Sequence, residues 1–67
     1  MQEIIFLIIE SPEGGFEAQA IGLSIYTEAE DWATLRQNIL EAVACHFDDG
    51  IERITRMHFV KDEVLTA

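Results

Sequence analysis

The sequence contains little basic charge, a single cysteine, a single proline and no long apolar run. Only four of its 67 residues are lysine or arginine, against thirteen aspartates and glutamates, which gives a formal net charge of −9. Nucleic-acid-binding proteins carry basic stripes that neutralise phosphates, so this charge argues against direct binding to nucleic acid or to anionic membranes. The excess acid favours a basic protein partner, or it serves only to keep a small protein soluble.

Cys45 is the only cysteine, which excludes an intramolecular disulfide and is typical of a cytoplasmic protein. The candidate metal ligands are Cys45, His46 and His58. Neighbouring positions on a helix point to different sides, so Cys45 and His46 do not suit a tetrahedral zinc site. We therefore expect neither a metal site nor a cofactor.

The longest apolar run, residues 4–9, has six residues, whereas a membrane-spanning helix needs about twenty. The first residues also lack the basic region and the small-residue cleavage site of a secretory signal peptide. The sequence therefore predicts a soluble protein of the cytoplasm, without a membrane partner.

The pattern of apolar and polar residues predicts four strands and one helix. The predicted strands span residues 4–9, 16–20, 24–27 and 54–60. The first strand is apolar on both faces, which is typical of a central strand buried on both sides. Gly14 and Gly15 are predicted to form the turn after it, since glycine adopts positive φ at low steric cost. Residues 62–65 are interpreted as a tail that frames an edge of the sheet.

The helix is predicted to run from its N-cap at Asp31 to about Asp48, with Gly50 in its C-terminal stop. Its apolar stripe, at about 100° per residue, comprises Trp32, Leu35, Ile39, Ala42, Val43, His46 and Phe47. We interpret Trp32 as a lid over one end of the core, with an exposed recognition residue as the alternative. His46 is interpreted as a residue at the edge of the core, or as a pH-sensitive group at an interface.

The opposite side of the helix contains Asn38 and Glu41, which are neighbours because they lie three positions apart. This side is either a solvated surface or, together with Trp32, a face that binds a protein partner.

The predicted order is strand, strand, strand, helix, strand within a single domain, residues 1–67. Hairpins join the first three strands, and the helix is a right-handed crossover that makes the last strand parallel to the first. The expected fold is an α+β, two-layer sandwich with a four-stranded mixed sheet in the order 3-2-1-4 and one helix packed on one face.

A helix on one side leaves the other sheet face uncovered. The predicted residues of that face are Ile5, Leu7, Ile9, Ile54, His58 and Val60. Exposed apolar patches are unusual on monomers, and a chain of this size buries only about 60% of its unfolded surface. We therefore predict a homo-oligomer, with a dimer as the first choice. His58 either lines that interface or pairs with Glu17 across the sheet.

Three stretches resemble a known family. Residues 13–18, Glu-Gly-Gly-Phe-Glu-Ala, are similar to the EGGY-x-A motif of HicB-like antitoxin domains. Thr27 and the helix segment Asn-Ile-Leu-Glu-Ala-Val at residues 38–43 resemble the helix motif of the same family. The final stretch, residues 56–64, is similar to the R-x-H-F-V-x-D-E-V ending of its compact stand-alone members.

This resemblance implies a partial ribonuclease-H-like fold and a protein that binds and blocks HicA, a small, basic, RNA-cleaving toxin. Full antitoxins of the family also carry a C-terminal DNA-binding segment. The sequence ends at Ala67 without such a segment, so we do not expect it to repress its own operon. The Gly-Asp-Thr that precedes the family's helix is Ala-Glu-Asp here, at residues 29–31.

A residual nuclease is the enzymatic alternative. Ribonuclease-H chemistry needs several carboxylates around two metal ions about 4 Å apart, and the strand carboxylates Glu3, Glu10 and Glu17 lie at strand ends or on an exposed face. We therefore predict a non-enzymatic protein-interaction module resembling a HicB-like antitoxin. The alternative is a stand-alone oligomeric scaffold or small-ligand-binding protein without a toxin partner.

Overall fold

The computed structural model describes residues 3–61 and 64–66. The elements are β1 (Glu3–Glu10), β2 (Phe16–Ala20), β3 (Tyr26–Ala29), α1 (Trp32–His46) and β4 (Ile54–Val60). The sheet order is β3-β2-β1-β4, with β1 antiparallel to β2 and parallel to β4. The predicted α+β fold, strand order and central position of β1 are therefore confirmed. In the predicted tail, Asp62 and Glu63 lie outside the described residues.

The core lies between α1 and one face of the sheet, which we call the inner face. Its buried residues are Ile4, Phe6, Ile8, Ala18, Ala20, Ile25, Leu35 and Ile39. They alternate along β1 and β2, as the two-residue period of a strand requires. Burying each large side chain contributes about 1.5–3 kcal/mol. The small side chains of Ala18 and Ala20 let α1 lie close over β2 and β3.

The prediction that β1 is buried on both sides is wrong for the single chain. Ile4, Phe6 and Ile8 are buried against the helix side, but Leu7 and Ile9 are 38% and 43% exposed. The reason is that residues 3–61 and 64–66 form one helix, and that helix covers one face of the sheet.

The helix begins as predicted and ends earlier than predicted. The Asp31 carboxylate accepts the Thr34 N–H at 2.7 Å and the Thr34 hydroxyl at 3.0 Å, which confirms the N-cap. The helix ends at His46, not near Asp48, because Phe47 leaves helical geometry and packs against the core. Gly50 has a φ of +69°, but it lies in the loop that follows and is not the helix stop.

The third strand begins two residues later than predicted, at Tyr26. The Ala20 N–H donates to the Ile25 carbonyl at 2.9 Å, so the turn continues past Ser24 before pairing starts. Tyr26 then lies opposite Gln19.

The Gly14–Gly15 turn is confirmed. Gly14 and Gly15 have φ values of +98° and +86°. The turn closes through two 3.0 Å hydrogen bonds, from the Ser11 N–H to the Gly15 carbonyl and from the Gly14 N–H to the Ser11 carbonyl. A Cβ on Gly15 would lie 2.7 Å from the Ala29 carbonyl oxygen, so this position has space only for glycine.

Candidate functional site

The sheet surface turned away from α1, which we call the outer face, combines apolar and charged side chains. Its strand residues are Glu3, Ile5, Leu7, Ile9, Glu17, Gln19, Tyr26, Glu28, Ile54, Arg56, His58 and Val60. The set includes all six residues predicted for an oligomer interface. The register places Leu7 between Gln19 of β2 and His58 of β4.

The centre of the outer face is apolar. Ile5, Leu7 and Ile9 follow one another along β1, and Ile54 and Val60 stand at the two ends of the neighbouring strand β4. We call these five residues the apolar strip. Ile54 is 48% exposed, and Ile5 and Val60 are half-buried. Exposed apolar strips of this kind are typical of interaction surfaces.

The β2–β3 side of the outer face is acidic. The Tyr26 hydroxyl lies 2.8 Å from Glu17 Oε1, its main acceptor, and 3.2 Å from Glu28 Oε2. The hydrogen bond to Glu17, then desolvation and the bond to Glu28, raise the pKa of Tyr26 to about 12. The phenol therefore keeps its proton near neutral pH and holds the two carboxylates in place.

The β4 side of the outer face carries one ion pair. Arg56 Nη2 lies 3.1 Å from Glu3 Oε2, and the Arg56 side chain is still 62% exposed. His58 is exposed on the same strand. His58 and Glu17 form no hydrogen bond, since β1 lies between their strands. Glu17 and Glu28 thus lie on one side of β1, and Arg56, already paired, lies on the other.

A second feature, which we call the acidic cleft, lies where the β1–β2 turn meets the end of β3. It is an open depression of about 390 Å³ lined by Ser11, Glu13, Gly14, Phe16, Glu28, Ala29 and Glu30. Three of the lining residues are glutamates and none is basic. Carboxylates arranged in this way accept charge-assisted hydrogen bonds from lysine or arginine side chains.

The three residues predicted to bind a partner from the helix do not form one surface. Asn38 is half-buried, and its Nδ2 donates to the Glu28 carbonyl at 3.1 Å, so its predicted place on the solvent side is wrong. The Trp32 ring packs edge-on against Phe16 and Phe59, with ring centroids 5.4 and 5.6 Å away. Of these three residues, only Glu41 is exposed.

The remaining chemical candidates are dispersed. His46 is exposed and contacts the Phe47 ring, so its predicted place at the core edge is wrong; the helix turns it outward before the chain leaves at Phe47. Glu3 and Glu10 lie at opposite ends of β1. Among residues 3–61 and 64–66, no three histidine, cysteine, aspartate or glutamate side chains gather as metal ligands. In the same ranges, no helix has the length and apolar character needed to cross a membrane.

A UPF0150 protein of Thermotoga maritima is 39% identical to this chain over 66 residues, which cover 98% of this chain and 94% of the relative. The chain belongs to the UPF0150 family. A second UPF0150 protein, from Archaeoglobus fulgidus, is 40% identical over 47 residues, 70% of each chain. No family model and no solved structure matches. The UPF0150 name states no activity, substrate or partner.

The sequence prediction missed two groups of residues in this UPF0150 chain. Glu28 was not assigned to the outer face because the predicted third strand ended at residue 27, and Tyr26, although inside that strand, was not assigned to a face. The alternation of residues 26–29 is the signal that would have found them. Glu13 and Glu30 are 17 positions apart, and no local sequence pattern indicates that they line one cleft.

Proposed function

We propose that this UPF0150 chain is a non-enzymatic protein-interaction module that binds and masks a small, basic, RNA-cleaving toxin, as its HicB-like motifs imply. The observation that carries the proposal is the acidic cleft, in which Glu13, Glu28 and Glu30 surround an open depression without a basic lining residue. The net charge of −9 adds a long-range field that steers a basic protein towards this surface.

The placement of the carboxylates favours binding over catalysis. Two-metal hydrolysis requires carboxylates that converge on ions about 4 Å apart. Here Glu3 bonds Arg56 and Glu17 accepts from Tyr26, on opposite sides of the apolar strip. These contacts hold the carboxylates apart and occupy them with neighbouring side chains.

Co-expression with a HicA-like protein encoded beside this chain tests the proposed role. We expect the chain to restore growth of cells that produce the toxin and to co-purify with it. Loss of both rescue and complex formation would rule out the antitoxin function. An RNA-cleavage assay of the chain alone with Mg²⁺ or Mn²⁺ tests the non-enzymatic part, and we expect no cleavage products.

The double variant Glu13→Lys/Glu30→Lys tests whether the toxin binds at the acidic cleft. Because both side chains line the cleft and reversal puts four units of charge against a basic partner, we expect the affinity for the toxin to fall at least tenfold. Asp48→Lys/Glu52→Lys, which makes the same four-unit change at two exposed residues outside the cleft, is the control and should change the affinity less than threefold. Equal losses in both double variants would show that net charge acts without a specific cleft.

A further inference from the structure

The edge strand β4 has a free side that is long and regular. Among the described strands β4 pairs with β1 alone, so alternate backbone groups along its seven residues face away from the sheet. Natural edge strands are protected by devices such as proline, bulges or short length. β4 contains neither proline nor glycine, and it pairs with β1 without a bulge. A further strand can therefore be added at this edge.

A groove runs along the inner side of β4. Because α1 packs over β3 and β2, part of the inner side of β4 is uncovered, and Phe59 is 39% exposed. The groove has a volume of about 230 Å³ and is lined by Arg36, Ile39, Leu40, Thr55 and Met57. Strand addition takes its affinity from main-chain hydrogen bonds and its specificity from pockets for alternate side chains. The groove supplies such a pocket beside the free edge.

Basic side chains surround this edge. Arg36 is exposed, and within residues 3–61 and 64–66 it forms no hydrogen bond or ion pair. Arg56, although paired with Glu3, is still 62% exposed, and His58 is exposed beside it. In a chain with a net charge of −9, these side chains favour an acidic occupant over a basic one.

The segment after β4, residues 61–66, has the chemistry that suits this edge. Its sequence is Lys-Asp-Glu-Val-Leu-Thr, in which two acidic residues precede two apolar ones. Val64 and Leu65 are 90% and 83% exposed, so they contact little of their own chain. A return onto its own β4 would need a tight turn, and residues 61–63 contain no glycine or asparagine for the positive φ of such turns. The surface that covers Leu65 is therefore on another copy.

We propose that two copies of the chain exchange segment 61–66, which adds as an antiparallel strand to β4 of the other copy with Leu65 in the groove. The exchange is isologous, because each copy gives and receives the same segment. Each sheet thereby gains a fifth strand. This inference goes beyond the toxin and is independent of it, since it uses none of the residues that line the acidic cleft.

Reach and charge select the register of the exchange. Side chains alternate along a strand, so a two-fold axis that keeps the inner faces on one side must lie between one residue and its own counterpart. Leu65 then comes opposite a residue of β4 only if the axis lies at position 60, 61 or 62. At positions 61 and 62 lysine would meet lysine and aspartate would meet aspartate, and like charges directly opposite are destabilising. The remaining axis lies at Val60.

An axis at Val60 makes an apolar pair of the two copies of that residue. Leu65 comes opposite Thr55 on the inner side, in the groove. The two acidic residues of the segment's sequence come level with His58 and with the part of the groove that Arg36 lines. All seven residues of each β4 are paired, which gives roughly a dozen backbone hydrogen bonds per dimer. That number is within the range of specific interfaces.

Sedimentation at several concentrations tests the exchange. The mass of the parent chain should approach twice 7.6 kDa as the concentration rises. Leu65→Lys should weaken dimerisation about tenfold or more, because an apolar side chain leaves the groove and a cation comes near Arg36. Ile21→Lys makes the same change at an isoleucine that is 60% exposed and lies after β2, and it should dimerise like the parent.

The role of Arg36 is tested by a pair of variants that change the net charge equally. Arg36→Gln removes the cation from the groove and should weaken dimerisation about fivefold, since the contact occurs twice per dimer. Gln37→Glu, at the adjacent exposed position of α1, also adds one negative charge and should have less than about a twofold effect. Equal effects would show that only net charge acts, which overturns the placement of the segment beside the groove.

Single cysteines in a Cys45→Ser background test the register. Directly opposite residues of antiparallel strands have Cα atoms about 4.5–5.5 Å apart, within reach of a disulfide. Val60→Cys should therefore form a covalent dimer on oxidation. Lys61→Cys is the matched control, because its two copies would lie roughly 8 Å apart, beyond the limit of about 7 Å. A covalent dimer from Lys61→Cys and none from Val60→Cys would overturn the axis at Val60.

A parent chain that is monomeric at every concentration would overturn the exchange, as would a Leu65→Lys variant that dimerises like the parent. Circular dichroism establishes that Leu65→Lys is folded, and Leu65→Ser serves as the second variant if it is not. A monomeric parent whose free energy of unfolding falls on Leu65→Lys substitution would show that the segment lies on its own β4, which also overturns the exchange.

Discussion

Gly15 is the residue at which the β1–β2 turn touches the end of β3. Its φ is +86°, and an added Cβ would lie 2.7 Å from the Ala29 carbonyl oxygen, whereas Gly14, at φ +98°, has open space around it. A side chain at positive φ costs about 1–2 kcal/mol. We expect Gly14→Ala to lower the free energy of unfolding by about that amount, and Gly15→Ala to lower it further because the backbone must also move. Urea denaturation measures the free energy of unfolding of both variants. Equal decreases would contradict the close approach of Gly15 to the Ala29 carbonyl.

Asp49 is a residue whose ion pair should make the stability of the fold depend on pH. Its carboxylate accepts from Arg53 Nη2 at 2.6 Å and from the Ile51 N–H at 3.0 Å. The hydrogen bond from Arg53, followed by that from Ile51, lowers the pKa of Asp49 from 3.8 to about 2. Because the folded pKa lies below the unfolded one, the stabilisation is present above about pH 4 and is lost as the pH falls towards 2.

We therefore expect Asp49→Asn to lower the melting temperature at neutral pH, and the difference from the parent to shrink between about pH 4 and pH 2. Thermal unfolding followed by circular dichroism across this pH range measures the difference in melting temperature. Asp48→Asn, the same change on the exposed neighbour, is the control and should change the melting temperature little at any pH. A difference for Asp49→Asn that stays constant with pH would contradict the interpretation.

At the scale of elements, one side-chain hydrogen bond links α1 to β3 in addition to their packing. The Asn38 amide donates to the Glu28 carbonyl at 3.1 Å and so ties the helix to an edge strand. Removing a half-buried hydrogen bond costs about 0.5–1.5 kcal/mol. We expect Asn38→Ala to lower the free energy of unfolding by about this amount and to speed amide hydrogen exchange in β3. Gln37→Ala, at the adjacent exposed position, should do neither.

The elements also show how far the sequence predicts the structure. The bounds of β2 and β4 match the predicted strands, because period-two alternation and flanking turns define them locally. The start of β3 was wrong because Ser24 and Ile25 belong to a turn closed by the Ala20–Ile25 hydrogen bond. The helix end was wrong because the tertiary packing of Phe47 outweighs the glycine signal downstream.

The same limits apply to the candidate site. The residues of the outer face can be predicted from the two-residue period of the strands, because every second side chain of a strand lies on the same side of the sheet. Its six predicted members are brought together for that reason. The acidic cleft depends on which loops meet in space, and the place of Asn38 depends on where the helix lies over the sheet. Neither is encoded in a local pattern.

At the scale of the whole molecule, the chain has two chemically different surfaces. The outer face is apolar along its centre, with Glu17 and Glu28 on one side of β1 and Arg56 on the other. The acidic cleft lies where the β1–β2 turn meets the end of β3, and it shares Glu28 with the outer face. The toxin proposed above would bind the cleft through charge. High salt should therefore weaken the proposed complex, because screening acts on exposed charges.

The position of β3 at the edge of the sheet has a consequence for aggregation. Among the described strands β3 pairs with β2 alone, so its other side offers backbone groups to which a further strand could be added. With four residues, β3 is short, and a short edge strand limits such pairing.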